Sequence, residues 1–321
     1  MISIVIPCYN SERTLRETLD SAFAQDVDKE IIVVDDGSTD ATPRIIASYG
    51  DRLRVLTTTN RGVSAARNSG TSLAQGQFIQ YLDSDDLLMP GTLRRRRDAL
   101  LSSSADVAHT DWQRLEQQPD GSFLAGAITS PDLDAIANDA EAATAVSTFW
   151  APPAALLYRR TIVERIGAWC ERLPVNEDAR FLFDAAANGA RFVHVPGVGA
   201  HYRVMQGTLS RQSLPRFIAC CSLNTGEIEA LWRSNGPLPP VRHRALQSMW
   251  GYVAMTALFN GFPEFERARI GCSLLGRRRL VWEAGHILRR LIGPHATARI
   301  MQKALQAKRS LIHQTPAPCP R

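Results

Sequence analysis

The sequence predicts an α/β protein on a mostly parallel sheet with flanking helices, followed by a helical, arginine-rich C-terminal region. Three observations carry this expectation. Over residues 1–82, short β-branched runs alternate with segments of helical spacing, as in strands joined by crossover helices. Polar, acidic clusters follow several of those runs, where open α/β sheets gather their ligands. Beyond residue 213 the strand pattern stops and helical segments take over.

Residues 2–6 are a short apolar run that Pro7 ends. Residues 11–25 place Leu15, Leu19, Ala22 and Phe23 on one helical face, with Ser11 in the N-cap position. Residues 30–34 form a β-branched run stopped by Asp35-Asp36-Gly37-Ser38. A helix over 41–48, a strand over 53–57, a helix over 63–74 and a strand over 78–82 complete the alternation, with right-handed crossovers expected. Pro90 precedes a helix carrying the arginines of 94–97, residues 107–112 read as a strand, and Pro119-Asp120-Gly121 reads as a hairpin turn. Residues 149–157 are apolar around Pro152-Pro153. Residues 177–188 read as a helix closed by Gly189, and 192–195 as a strand.

With 321 residues, 45% of them hydrophobic, the chain can bury a sizeable core without disulfides or a structural metal. Its net charge of +5 is unevenly spread. Residues 214–321 carry 16 basic and 5 acidic side chains, whereas residues 1–213 carry 21 and 27. This split divides the chain into regions 1–212 and 213–321 with different partners. The six cysteines, Cys8, Cys170, Cys220, Cys221, Cys272 and Cys319, contain no Cys-x-x-Cys pair, so free thiols in a reducing cytoplasm are expected. Met1 runs directly into a strand-like segment, so no secretory leader is expected. Residues 245–263 lack charge, but Gln247, Ser248 and Asn260 dilute them, which favours a buried or interfacial helix over a membrane span.

Three acidic clusters stand at loop positions: Asp35-Asp36, Asp83-Ser84-Asp85-Asp86 and Glu177-Asp178. Packed carboxylates repel one another, so a cluster such as 83–86 needs solvent or a cation to compensate it. Mg²⁺ or Mn²⁺ would supply that compensation while also holding substrate phosphates. Any one cluster could be a solvated polar turn, because Asp and Ser are common there. Three of them at strand ends of one sheet favour a site.

Four blocks in this order and spacing closely resemble family 2 glycosyltransferases of the GT-A fold. They are Ile4-Val5-Ile6-Pro7-Cys8-Tyr9-Asn10, Val33-Val34-Asp35-Asp36-Gly37-Ser38-Thr39-Asp40, Asn60 through Gly70, and Tyr81-Leu82-Asp83-Ser84-Asp85-Asp86. The likeness continues more loosely through Ile166-Gly167-Ala168-Trp169, Glu177-Asp178 and His201-Tyr202-Arg203, and covers about residues 1–212.

The resemblance implies that Pro7, Tyr9, Glu12 and Asp36 hold the nucleotide, with Asp36 accepting a base N–H as uracil or thymine offers. Glu12 could equally be a helix N-terminal charge. Arg67 faces the diphosphate or ties its helix to an acidic cluster. The Asp-x-Asp element maps onto Asp83, nearer the ribose, and Asp85, the direct ligand of a Mn²⁺ or Mg²⁺ cofactor. Asp178 corresponds to the general base that takes the acceptor's proton. His201 and Arg203 fall where relatives have a phosphate-closing loop, but Met205 stands where many carry a further histidine. Arg180 and Asp184 also depart from the family pattern, either as an exchanged ion pair or as a change in acceptor recognition.

The expected activity is transfer of one hexosyl or N-acetylhexosaminyl unit from a nucleotide sugar, a UDP-sugar by preference, with inversion, to a hydroxyl of a glycan or lipid-linked acceptor. Cell-surface polysaccharide or lipopolysaccharide synthesis is the expected setting. The Gln-x-x-Arg-Trp element of processive relatives is missing, and no Gly-x-Gly-x-x-Gly follows the first strand. Residues 267–309 hold 11 basic side chains and one acid, Glu283, interleaved with apolar residues. That pattern reads either as a peripheral contact with an anionic membrane surface, on its cytoplasmic face, or as a helical subdomain with a solvated basic side. Nucleic acid is not an expected partner, since no motif for it is present. The competing readings are a GT-A-like scaffold without catalysis and a sugar nucleotidyltransferase. The latter would need a Gly-rich basic loop in place of Pro7-Cys8-Tyr9-Asn10.

Overall fold

The computed structural model describes residues 1–205, 213–276 and 280–313, with the side chains of 280–281 and 304–313 outside the description. The chain divides into two compact units, residues 1–212 and 213–321.

The first unit is built on one sheet. Its centre is β1 (Ile2–Cys8), buried along its whole length, as expected of an apolar strand covered on both faces. Each fully buried branched side chain there contributes about 1.5–3 kcal/mol. β2 (Lys29–Asp35) and β4 (Phe78–Tyr81) flank β1 in parallel, and β3 (Arg54–Thr57) lies parallel outside β2. Beyond β4 the sheet turns mixed. Its order is β3-β2-β1-β4-β8-β6-β9-β5, with β8 (Leu156–Arg159) antiparallel to β4 and to β6 (Val107–Gln117). β9 (Phe192–Val204) runs parallel to β6, the short β5 (Leu87–Leu88) pairs antiparallel with β9, and β7 (Phe123–Thr129) hangs from β6 as a hairpin. The parallel character expected of the whole sheet therefore belongs to β3-β2-β1-β4.

Helices α1 (Leu15–Phe23), α2 (Thr42–Ala47) and α3 (Val63–Leu73) form the crossovers of the parallel part. α3 sits so close to the sheet that a Cβ on Gly70 would come within 2.4 Å of Val5 Cγ1. The helix α1 starts at Leu15 rather than at residue 11. Thr14 and Leu15 both donate to Ser11 O (3.1 and 3.0 Å), so a turn precedes the helix, and Ser11 Oγ meets Ser84 Oγ at 2.7 Å instead of capping. α4 (Thr92–Ser102), α5 (Leu133–Asn138), α6 (Ala140–Ala145), α7 (Arg160–Ile166) and α8 (Glu177–Ala187) follow. Asp132 and Asp139 cap α5 and α6 by accepting from Ala135 N and Ala142 N, each at 2.9 Å. β9 extends well beyond the short strand the sequence indicates, so His201 and Arg203 belong to a strand and not to a loop.

The second unit is helical: α9 (Leu214–Ser234), α10 (Pro240–Asn260), α11 (Phe265–Leu274), α12 (Leu280–Ile292) and α13 (Pro294–His313). Leu246, Trp250, Val253, Leu258, Phe265 and Trp282 fill its interior, and Trp250 Nε1 donates to Glu229 at 2.7 Å. The uncharged 245–263 stretch thus supplies a buried helix face. No described helix is long and apolar enough to cross a membrane.

Candidate active site

The loops at the C-terminal ends of β1, β2 and β4 bring most of the candidate residues to one edge. Pro7 does not end β1; it is buried within the strand opposite Val34, which leaves Tyr9, 48% exposed, as the first open side chain. Asn10 takes a left-handed φ of 49° and accepts from Thr39 N at 2.8 Å. Glu12 accepts from Ala41 N at 2.8 Å, the approach to α2, and so takes the helix N-terminal place. Asp36, 3% exposed, accepts from Thr58 Oγ1 (2.9 Å), Arg61 N (3.0 Å) and Gly62 N (2.7 Å). Arg61 N also reaches Oδ2 at 3.1 Å, so the roughly four acceptor positions of this carboxylate are met by protein donors.

Arg67, on α3, joins the second and third acidic clusters. Its guanidinium bonds Asp83 Oδ1 at 2.5 Å and Glu177 Oε1 at 3.0 Å, and lies 4.2 Å from the Trp169 ring centre. Trp169 stacks on Phe181 at 4.0 Å, which fixes the platform beneath the guanidinium. Burial pulls the Arg67 pKa down, but Asp83 and Glu177 outweigh it and hold the charge. Of the two readings of Arg67, the geometry matches the second: both terminal nitrogens are spent on carboxylates and the side chain is buried, so it does not stand open to a diphosphate. Glu177 is pushed up to about 7 by burial, with Asp178 adding to the push.

Arg203 makes a second clamp. It donates to the Asp85 carbonyl, to Glu17 Oε2 and, at 3.2 Å, to Thr18 Oγ1, while its backbone N donates to Asp86 Oδ1 at 2.9 Å. Buried at 1% exposure, it pins the 83–86 turn against α1 and is not available to a phosphate. His201, on the same strand face, is half-buried, and burial together with Arg203 lowers its pKa. Arg180 and Asp184 pair with each other along α8 at 2.8 Å, the exchanged ion pair.

Asp85 differs from its neighbours. Asp83 has Arg67 and Asp86 has the Arg203 amide, yet the Asp85 carboxylate receives no hydrogen bond from another described residue. Burial, followed by the charge of Asp83, pushes it up to about 6. No group of three or more His, Cys, Asp or Glu among the described residues forms a complete cation site. One or two carboxylates suit Mg²⁺ or Mn²⁺, which complete their shells with water and substrate phosphates.

Asp178 is the second residue of α8, which Glu177 opens directly after Asn176, whose φ of 67° turns the chain into the helix. Its Oδ2 accepts from Trp150 Nε1 at 3.0 Å and its Oδ1 from Ala179 N at 2.7 Å, while burial raises its pKa. Sequence reasoning missed Trp150. The only signal for it is an aromatic residue just before the stiff Pro152-Pro153 pair. Tyr202 figured only within the His201-Tyr202-Arg203 block, without a role of its own; burial raises its pKa, and so do the charges of Asp86, Asp178, Asp85 and Asp83.

The chain is similar to known proteins in sequence and in fold. The chain is 32% identical over 221 residues to the succinoglycan biosynthesis protein ExoO of Rhizobium meliloti, a match covering 65% of this chain and 62% of that protein. It is 34% identical over 138 residues to the chondroitin synthase of Pasteurella multocida, covering 41% of this chain and 14% of the synthase. In both, the match spans less than two thirds of the relative's length. Among solved structures, S. aureus TarS 1–349 in complex with UDP-GlcNAc superposes with a TM-score of 0.59 at 21% identity, covering 89% of this chain and 91% of that one. The mannosyltransferase PcManGT from Pyrobaculum calidifontis, in complex with GDP-Man and Mn²⁺, gives 0.52 at 20% identity, covering 98% and 88%. These likenesses show a GT-A-type fold. The sequence model of glycosyl transferase family 2 matches residues 3–167, more than half of the chain, and the chain belongs to that family.

Proposed function

We propose that the first unit is a metal-dependent, inverting transferase that moves one sugar from a nucleotide sugar, a UDP-sugar by preference, to a hydroxyl of a glycan or lipid-linked acceptor. Assembly of a surface polysaccharide or lipopolysaccharide is the setting, in line with the names of ExoO and the chondroitin synthase. The observation that carries the reading is Asp85, a half-buried carboxylate that receives no hydrogen bond from another residue among the described ones, beside two that are clamped. UDP-GlcNAc in TarS and GDP-Man with Mn²⁺ in PcManGT support the donor class and the metal.

Asp178 takes the proton from the acceptor hydroxyl, with Oδ2 aimed by the Trp150 N–H. Attack from the face opposite the leaving group inverts the anomeric carbon. Arg67 holds Asp83 and Glu177 at a fixed separation, and so ties the nucleotide side to the base side. Asp85, with Asp83 nearer the ribose, would hold a Mn²⁺ or Mg²⁺, which when bound would supply Lewis-acid neutralisation of the diphosphate's charge. Tyr9 and Asp36 serve the base.

The second unit contacts an anionic membrane on its cytoplasmic face. Ile270, Leu274, Ile287, Leu291, Ile292 and Ile300 are exposed there together with Arg290, Arg299 and Lys303. Residues 277–279, and the side chains of 304–309, belong to the same basic stretch and lie outside the described residues.

The test is nucleoside diphosphate release from a panel of UDP-, dTDP- and GDP-sugars in Mn²⁺ or EDTA. Release from one donor that needs the metal and disappears in Asp85→Ala is expected. Silence in this assay and in a thermal-shift screen of the same panel would overturn the reading in favour of a scaffold.

A further inference from the structure

Three aromatic rings meet beside the candidate base. Trp112 and Trp150 lie 5.3 Å apart, Trp112 and Tyr202 5.8 Å, and Trp150 and Tyr202 5.7 Å, all nearly perpendicular. They arrive from separate places: Trp112 on β6, Tyr202 on β9, and Trp150 on the segment leading into Pro152-Pro153. Trp112 is buried, whereas Trp150 and Tyr202 remain half-exposed. The cluster reaches the chemistry at two points. Trp150 Nε1 bonds Asp178, and the Tyr202 hydroxyl feels the carboxylates of both the 83–86 turn and Asp178.

Trp150 and Tyr202 pack partly against the hydrophobic core, and the part of each that stays uncovered lies near carboxylates. A pyranose fits such a surface. Its rim of hydroxyls seeks carboxylates, and its axial C–H face is apolar and slightly positive, which suits the electron-rich face of an aromatic ring. Binding sites built in this way combine an apolar wall with a few fixed polar groups.

We infer that Trp150 and Tyr202, backed by Trp112, form the subsite that receives the acceptor as a pyranose ring and lays one of its hydroxyls on Asp178. This rests on the transferase reading and adds to it the acceptor's chemical class: a pyranoside, rather than an open-chain polyol or a plain lipid alcohol. Trp150 has two tasks, as wall and as positioning residue for Asp178.

Saturation-transfer NMR on the full chain with UDP and Mn²⁺ tests this, using octyl pyranosides of glucose, galactose, mannose and N-acetylglucosamine, with ribitol and octanol as controls. Ring C–H protons of at least one pyranoside should take up saturation. The signal should fall at least fivefold in Tyr202→Leu and Trp150→Leu and persist in Tyr202→Phe, all with native-like melting. Loss in Tyr202→Phe equal to that in Tyr202→Leu would overturn the stacking role. So would saturation confined to the octyl chain, signal from ribitol equal to that from the sugars, or no ring signal in protein that binds UDP. Failure to bind any nucleotide would remove the transferase reading itself, which a UDP thermal shift run in parallel separates from failure of the subsite alone.

Discussion

The two units use arginine in opposite ways. In the first, Arg67 and Arg203 are 1% exposed, and the terminal guanidinium nitrogens of Arg67 are committed to Asp83 and Glu177 and those of Arg203 to Glu17 and Thr18. In the second, Arg290 and Arg299 stand in solvent near exposed Ile287, Leu291 and Ile300. A buried cation is tolerated only where it is paired, and its removal leaves its partners as uncompensated charge. An exposed cation contributes little to folding and is free to meet an external anion. The difference teaches that sequence charge alone does not reveal a charge's task. The first unit keeps Arg67 and Arg203 as internal clamps, and the second displays Arg290 and Arg299.

The sharpest way to break this contrast is Arg67→Met. Asp83 and Glu177 would then face each other without their cation, at a cost of about 3–5 kcal/mol in stability. A thermal melt reads that as a drop of roughly 6–20 °C, and UDP affinity should fall with it. A melt within two or three degrees of native would show that the clamp is dispensable.

Acid unfolding sharpens the contrast next. Burial, then His194 and Arg96, lower the buried His109 to about 3. Between about 3 and the ordinary histidine value the unfolded chain binds the extra proton, so this residue's share of stability rises with pH across that window. Each pH unit of that window contributes about 1.4 kcal/mol, and the share amounts to a few kcal/mol. In His109→Phe, the difference from native in denaturant midpoints should therefore change between pH 4 and 7. A constant difference would contradict it.

Trp150→Phe isolates the base. In the proposed mechanism Asp178 works deprotonated, so activity should decline as pH falls through its raised pKa. Loss of the Trp150 N–H, which favours the charged form, moves that acid limb upward by about one pH unit. An unshifted kcat/KM profile would detach Trp150 from the base.

The smallest effect on folding belongs to the exposed arginines. Arg290→Gln with Arg299→Gln should alter stability by no more than about 0.5 kcal/mol. The same pair should weaken flotation with phosphatidylserine vesicles by about 1 kcal/mol per arginine. Unchanged flotation would return the basic face to simple solvation.

The parallel part of the fold was legible because β1, β2 and β4 are continuous apolar runs between turn residues, a local signal. β5, β7 and the long β9 were not legible. β5 is two residues held by pairing with β9, and the outer half of β9 reads as polar because His201 and Arg203 face the 83–86 turn. The acidic clusters could be found as letters, but not the partners that sort them. Nothing local in Asp83-Ser84-Asp85-Asp86 says that Arg67 takes the first, the Arg203 amide takes the last, and Asp85 receives no hydrogen bond from another described residue. Those contacts join residues 16 and 117 positions apart. Trp150 was missed for the same reason, being tied to Asp178 across 28 positions.

Calorimetric titration of UDP in Mn²⁺ and in EDTA, on the native chain and on Asp85→Asn, tests the central claim most directly. Native protein should bind UDP in Mn²⁺ at least tenfold more tightly than in EDTA, and Asp85→Asn should bind it equally weakly in both. Equal native affinity in the two buffers, or metal dependence that survives the substitution, would contradict Asp85 as the residue left open for the cation.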